Sequence, residues 1–233
     1  MRNCLESGVL FDLVGTLAYL EEDAYFALKR EFASKLGISI PVLREAWSAS
    51  RRLAYAGLFS TTCQRIRWVC DALHLQTDEE VITLLAKAED DVWSQKLFLR
   101  EGAKECLVEL RAAAFRIAIV SNGPITHKNI LSSLSLSNLI DAFVLSAQVG
   151  AVKPEAAIYQ VAMQKLSLSS ASCIYVGDGH HDEFVGARNV GLPVVRVATE
   201  LKFFGIEKWD DADQEVVVQS LRDLPRTIFS MLK

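Results

Sequence analysis

Residues 8–20 read "GVLFDLVGTLAYL", and the reading of this stretch decides the fold. An apolar run ends on Asp12, and Gly15 and Thr16 follow at once. Residues 7–13 therefore predict a short buried strand that delivers a carboxylate into a tight loop. Two positions after Asp12, where a second carboxylate would serve acid–base chemistry, stands Val14.

Outward from that loop the texture changes twice. From Glu21 to Lys96 apolar residues recur at helical spacing. In "AYFALKREFASKLG", Tyr25, Phe26, Leu28, Phe32 and Leu36 share one predicted face and Gly37 is the stop. A second helix opens at Pro41 and closes at Gly57, and a third fits "TTCQRIRWVCDALHL". A fourth fits "TDEEVITLLAKAEDDVWSQ", with Thr77 and Glu80 spaced as a capping box. From Leu97 onward Val- and Ile-rich runs alternate with helical periods: "FRIAIVSN", "AFVLSA", "CIYVGD" and "LPVVRVA" are the strands. That alternation predicts an α/β fold, a Rossmann-like parallel sheet with helices on both faces. Residues 1–17 and 97–233 form the predicted core, and residues 18–96 form an all-helical insert after the first strand.

Composition narrows the function. The 233 residues are 51% apolar and 23% charged, enough for a large core, and the net charge is −4. A broad basic face for nucleic acid is excluded by that balance. No window reaches the about 18 apolar residues of a membrane span. Cys4, Cys63, Cys70, Cys106 and Cys173 are scattered, with no C-x-x-C pair, as expected for thiols of a reducing, cytoplasmic compartment. Nothing in the sequence signals an oligomeric state.

Ligands of such sheets bind beyond the carboxyl ends of the strands. The first strand ends on Asp12, Val14, Gly15 and Thr16, and "RIAIV" ends on Ser121 and Asn122. "AFVLSA" leads to Lys153, and "CIYV" ends on Gly177, Asp178, Gly179, His180, His181, Asp182 and Glu183. This set suits a phosphoryl group beside a divalent cation. Asp12 is a nucleophile or a metal ligand, and Asp178 with Asp182 or Glu183 supplies further oxygens for Mg²⁺. Thr16, Ser121 and the backbone amides of the Gly15 turn suit phosphate oxygens, and Lys153 balances the charge. Each group alone has an ordinary use as a turn, cap or solvated residue. Their occurrence together, at successive strand ends, carries the reading.

The motifs "FDLVGTL", "IVSNG", "VKPEAAIY" and "YVGDGHHDEFVGARNVG" resemble those of the haloacid dehalogenase superfamily. The helical insert resembles the cap that many members carry after the first strand. The resemblance implies an aspartyl-enzyme intermediate on Asp12 and, in most members, Mg²⁺-dependent hydrolysis of a phosphate ester. By match, Thr16, Ser121 and Asn122 hold the phosphoryl group and Lys153 stabilises it with Asp12. Asp178 ligates Mg²⁺, with Asp182 or Glu183 behind it.

Val14 departs from that pattern. Phosphatases of the family carry a second Asp there, and general acid–base help is worth about 10² to 10⁴ in rate. The Val14 backbone carbonyl still suits Mg²⁺. Three readings follow: a phosphatase for a good leaving group, a 2-haloacid dehalogenase or phosphonate hydrolase, or a phosphate-metabolite binder that turns over poorly. The dehalogenases lack the metal-binding acids and need an arginine soon after the first motif, whereas none occurs between Asp12 and Arg30. A phosphonate hydrolase needs a cap lysine, for which Lys29 and Lys35 are the candidates. His180, His181, Glu21, Glu22 and Asp23 are alternative proton sources, each expected to be solvated. In the insert, Trp47, Tyr55, Phe59, Trp68 and Trp93 are expected as core, with Arg44, Arg51, Arg52, Arg65 and Arg67 in solvent. A small phosphorylated molecule is the expected partner.

Overall fold

A computed structural model describes residues 7–198 and 216–231. Cys4 lies outside them. Six parallel strands form one sheet in the order β5–β4–β1–β6–β7–β8. They are β1 (Gly8–Phe11), β4 (Arg116–Ser121), β5 (Ala142–Leu145), β6 (Cys173–Gly177), β7 (Val194–Val197) and β8 (Val216–Val218). The other two strands, β2 (Ala18–Leu20) and β3 (Leu97–Leu99), pair antiparallel in a separate ribbon.

The sheet is buried on both faces, as helical crossovers require. Val9 and Phe11 of β1 enter one core cluster and Leu10 enters the other. Strand β6 alternates likewise, Ile174 and Val176 against Cys173 and Tyr175. Helices α5 (Ala103–Ala112), α6 (Ile130–Ser133) and α10 (Leu224–Met231) pack on the first face. Helices α8 (Ala156–Leu166) and α9 (Glu183–Asn189) pack on the second, and α7 (Ser146–Val149) follows β5. Each large side chain wholly removed from water, such as Phe11 or Tyr159, contributes about 1.5–3 kcal/mol.

Between β2 and β3 lie α1 (Glu22–Leu36), α2 (Ile40–Tyr55), α3 (Thr62–Ala72) and α4 (Glu79–Gln95). They share a core of their own, in which Phe32 meets Trp47 edge to face at 5.4 Å. Glu22 and Asp23 sit in the first turn of α1, where the helix dipole favours them, and Gly37 ends it at φ +66°.

Several local expectations change. Phe26 turns outward, 46% exposed, because the buried stripe runs through Tyr25, Leu28, Phe32 and Leu36. The Thr77 capping box does not form: α4 starts one residue later, with Asp78 in the cap position. The β2–β3 ribbon, β8 and α10 were not expected, being too short for periodicity to mark.

Candidate active site

The sheet order explains why the motifs meet. Strand β1 pairs with both β4 and β6, with Phe11 opposite Ile119 on one side and Val176 on the other. Asp12 therefore emerges between the loop of Ser121 and Asn122 and the loop of Asp178. The nitrogen of Asp12 still donates to the Val176 carbonyl at 2.8 Å, holding the first loop in register.

Asp12 is 6% exposed and both of its oxygens are engaged. Thr16 Oγ1 donates to Oδ2 at 2.9 Å and Lys153 Nζ donates to Oδ1 at 2.5 Å. Lys153 also donates to Glu183 Oε2 at 2.8 Å and to the Tyr175 hydroxyl at 3.1 Å. Glu183 accepts further from Tyr175 Oη, at 2.7 Å, and from the Gly179 N–H, at 2.9 Å. Asp178 accepts from the His180 N–H at 3.0 Å.

Asp12, Asp178 and Glu183 are all buried, with ligand atoms within 4.8 Å of one another. Burial pushes Asp12 up to about 6, although Lys153 pulls it down. Asp178 is held well above the usual carboxylate range, first by burial and then by the charges of Glu183 and Asp12. Burial also acts on Glu183, but the charge of Lys153 and the hydrogen bonds outweigh it and leave Glu183 low. Lys153 is raised by Asp12 and Glu183 against its own burial. Three carboxylates crowded in a buried place hold one another's ionisation back, and their oxygens suit a hard dication that would relieve that repulsion.

The candidate residues divide. Asp12, Thr16, Ser121, Lys153, Asp178 and Glu183 converge, and Ser121 is only 6% exposed. Asp182 does not join them: it is exposed, at φ +55°, in the cap position of α9. Asn122 lines the same cavity, and its carboxamide also accepts from Lys153 N at 2.8 Å and donates to Lys153 O at 3.1 Å. It positions the lysine. The Gly15 N–H donates to the Ala18 carbonyl at 2.8 Å. Glycine is required there because φ is +100° and a Cβ would overlap the Asp178 carboxylate. Val14, half-buried, lines the cavity beside Asp12.

That cavity, about 130 Å³, runs from the carboxylates to the helical block. The expected division of the block into core aromatics and solvated arginines is corrected in part. Trp47, Tyr55, Phe59 and Trp93 line the cavity, and so do Arg51 and the buried Arg65. Arg44, Arg52 and Arg67 are exposed, and Trp68 packs on the core of the block. Arg65 is buried because Ser50 Oγ and the Trp47 carbonyl accept its hydrogen bonds at 2.8 and 3.2 Å. His180 lines the cavity too, with only 12% of its side chain exposed, so it is not a solvated loop residue.

Three contributors were missed. Arg100 donates to the carbonyls of Gly15, Thr16 and Ala198, at 3.0, 3.3 and 2.7 Å, and so fixes the first loop. His127 lines the cavity and packs at a tilt against Trp93, with ring centroids 4.3 Å apart. Tyr175 braces Lys153 and Glu183 from inside the sheet. A strand tyrosine flanked by apolar residues reads as core, and only the charges it meets reveal otherwise.

Comparison with known proteins agrees with the geometry. An (S)-2-haloacid dehalogenase of Pseudomonas putida is 28% identical over 200 residues, covering 80% of this chain and 83% of the relative. A glyceraldehyde 3-phosphate phosphatase of Pyrococcus abyssi is 28% identical over 101 residues, 42% of each chain. The solved 2-haloacid dehalogenase of Pseudomonas syringae superposes with a TM-score of 0.71 at 19% identity, covering 97% of this chain and 99% of its own. The family model for haloacid dehalogenase-like hydrolases matches residues 7–191, and the chain belongs to that family.

Proposed function

We propose that the chain removes phosphate from a small phosphorylated molecule in a Mg²⁺-dependent reaction. The observation that carries this reading is the set of three buried carboxylates, Asp12, Asp178 and Glu183, beside Lys153. Asp12, the Val14 carbonyl and Asp178 would hold the ion, with Glu183 behind them. When bound, Mg²⁺ would neutralise charge on the phosphoryl oxygens.

Asp12 is the nucleophile in this reading. Thr16 and Lys153 hold its carboxylate by one hydrogen bond to each oxygen, which fixes the plane from which it attacks. Ser121 and Lys153 then donate to the phosphoryl oxygens, and water cleaves the phosphoaspartyl bond. Residues 18–96 act as the cap over a core of residues 1–17 and 97–233. A cytoplasmic setting accords with Cys63, Cys70, Cys106 and Cys173 being unpaired thiols. Among the described residues no helix is long and apolar enough to cross a membrane.

Asp12→Asn is expected to abolish phosphate release while the melting transition survives; undiminished turnover in that variant would sink the mechanism. A chelator is expected to stop the wild-type reaction.

One second reading has its own observation. Val14 and the 200-residue likeness to a haloacid dehalogenase favour halide release from a 2-halo acid. Such a reaction leaves Asp178 without a purpose, and it would proceed in chelator. Phosphonate hydrolysis has less support, because neither Lys29, paired with Glu89 at 2.5 Å, nor the exposed Lys35 is among the residues that line the cavity. A binder without turnover is excluded by any multiple-turnover release of phosphate.

A further inference from the structure

The cavity beyond Asp12 is lined by rings, with Arg51, Arg65, Glu89 and Asp90 among them. Tyr25, Trp47, Tyr55, Phe59, Trp93 and His127 all line it. Its polar side chains are largely tied to one another. Arg65 is bound to Ser50 and to the Trp47 carbonyl. Glu89 accepts from Lys29 and from Trp93 Nε1, the latter at 3.2 Å. Asp90 accepts from Thr62 Oγ1 at 2.6 Å. These bonds hold the wall in place before any substrate arrives, and its ring faces offer a surface for a planar apolar group.

The near side of the cavity shows a matching feature. Val14 lines it half-buried and apolar, so the leaving oxygen meets a hydrocarbon where an acid would stand. A leaving group that departs as a stable anion has no need of that acid. A phenol ionises near pH 10, whereas the 15.7 of water is typical of what an unaided hydroxyl must overcome.

We propose that the substrate is an aryl phosphate, its ring held against the aromatic wall formed by the helical block and its phenolate oxygen leaving past Val14. The inference rests on the phosphatase reading above. In the first step a carboxylate oxygen of Asp12 bonds to phosphorus as the bond from phosphorus to the aryl oxygen breaks, and the electron pair leaves with the phenolate. In the second step water attacks the phosphorus of the phosphoaspartate. Its proton passes to the released phenolate, and inorganic phosphate and the Asp12 carboxylate are restored. Two independent features, one on each side of the cavity, select the same leaving group.

The test compares phenyl phosphate, ring-substituted phenyl phosphates, ethyl phosphate and acetyl phosphate, with Mg²⁺ present. Acetyl phosphate has an excellent leaving group and no ring, so it separates ring recognition from leaving-group chemistry. Phenyl phosphate is expected to show the higher kcat/KM although acetyl phosphate is the more labile, and ethyl phosphate is expected to be poor. Within the aryl series the rate should rise with the acidity of the phenol, and Val14→Asp should flatten that slope. Tyr55→Ala should lower the preference for phenyl over acetyl phosphate about tenfold, the scale of one lost ring contact, and Tyr55→Phe should keep it. Turnover of acetyl phosphate with phenyl phosphate no better, or a preference untouched by Tyr55→Ala in a folded variant, would overturn the aryl proposal and leave the phosphatase reading standing. Release of phosphate from none of the four would overturn both.

Discussion

His127 shows how much a single side chain can report. It lies in the segment after β4 and packs at a tilt against Trp93 of α4, so it joins the sheet to the helical block. Burial pushes its imidazole down to about 4 from an ordinary 6.5, with Glu89 pulling the other way. Between those values the unfolded chain binds a proton that the folded chain refuses. The contribution is therefore complete above pH 6.5 and is lost as pH falls toward 4, by up to about 3 kcal/mol at 1.36 kcal/mol per pH unit. His127→Phe should remove this dependence. Denaturation at pH 4.5 and 7.5 should show the variant gaining about 2 kcal/mol on wild type at the lower pH; equal differences at both values would contradict the burial account. At this scale the sequence was legible where a residue ends a strand. Asp12, Ser121 and Asp178 could be named because strand ends mark them, whereas the choice between Asp182 and Glu183, at a helix start, stayed open. His127, Arg100 and Tyr175 could not, since each acts through partners far along the chain.

Among the elements, α1 and α4 are joined by a buried ion pair between Lys29 and Glu89. Burial lowers Lys29 to about 8, and Glu89 opposes that shift. Removing one partner leaves the other charged in an apolar place. Lys29→Met or Glu89→Leu alone is expected to cost about 3–5 kcal/mol in urea denaturation, while the double variant recovers most of that loss. Additive losses in the double variant would show that the pair is not the source. The four helices of the block were legible as elements because their apolar spacing is regular over many residues. The pairing was not, because a helical pattern gives each buried face but not which faces meet. Arg65 illustrates the limit: in sequence it is one more arginine on an amphipathic helix, and only the hydroxyl of Ser50 and the carbonyl of Trp47 explain why it lies inside.

At the scale of the molecule, the proposed Mg²⁺ site would link metal binding to folding. A dication that binds the folded chain alone adds about 2.7 kcal/mol at a hundred times its Kd, or roughly 5–10 °C in a domain of this size. Mg²⁺ should thus raise the melting temperature, a chelator should reverse the rise, and Asp178→Asn should remove the response. A response kept by Asp178→Asn would place the ion elsewhere. The parallel sheet was legible from alternating strands and helices, yet its order was not. That β1 runs between β4 and β6 is what brings Asp12, Ser121 and Asp178 together.

The ribbon of β2 and β3 carries a mechanical consequence. The chain leaves the sheet for the helical block and returns to it along two strands bonded to each other, and the Glu21 N–H donates to the Lys96 carbonyl at the far end, 2.9 Å away. A lone tether would be a swivel, free to twist and slide. Two bonded strands resist both and leave one soft degree of freedom, bending across the ribbon. Were the block to close as a cap, the ribbon would return Tyr55 and Trp93 to the same place in the cavity they share with Asp12. On the proposed mechanism, the orientational entropy of aligning a substrate with Asp12 would be met largely when the protein folds, leaving little of it for each catalytic cycle.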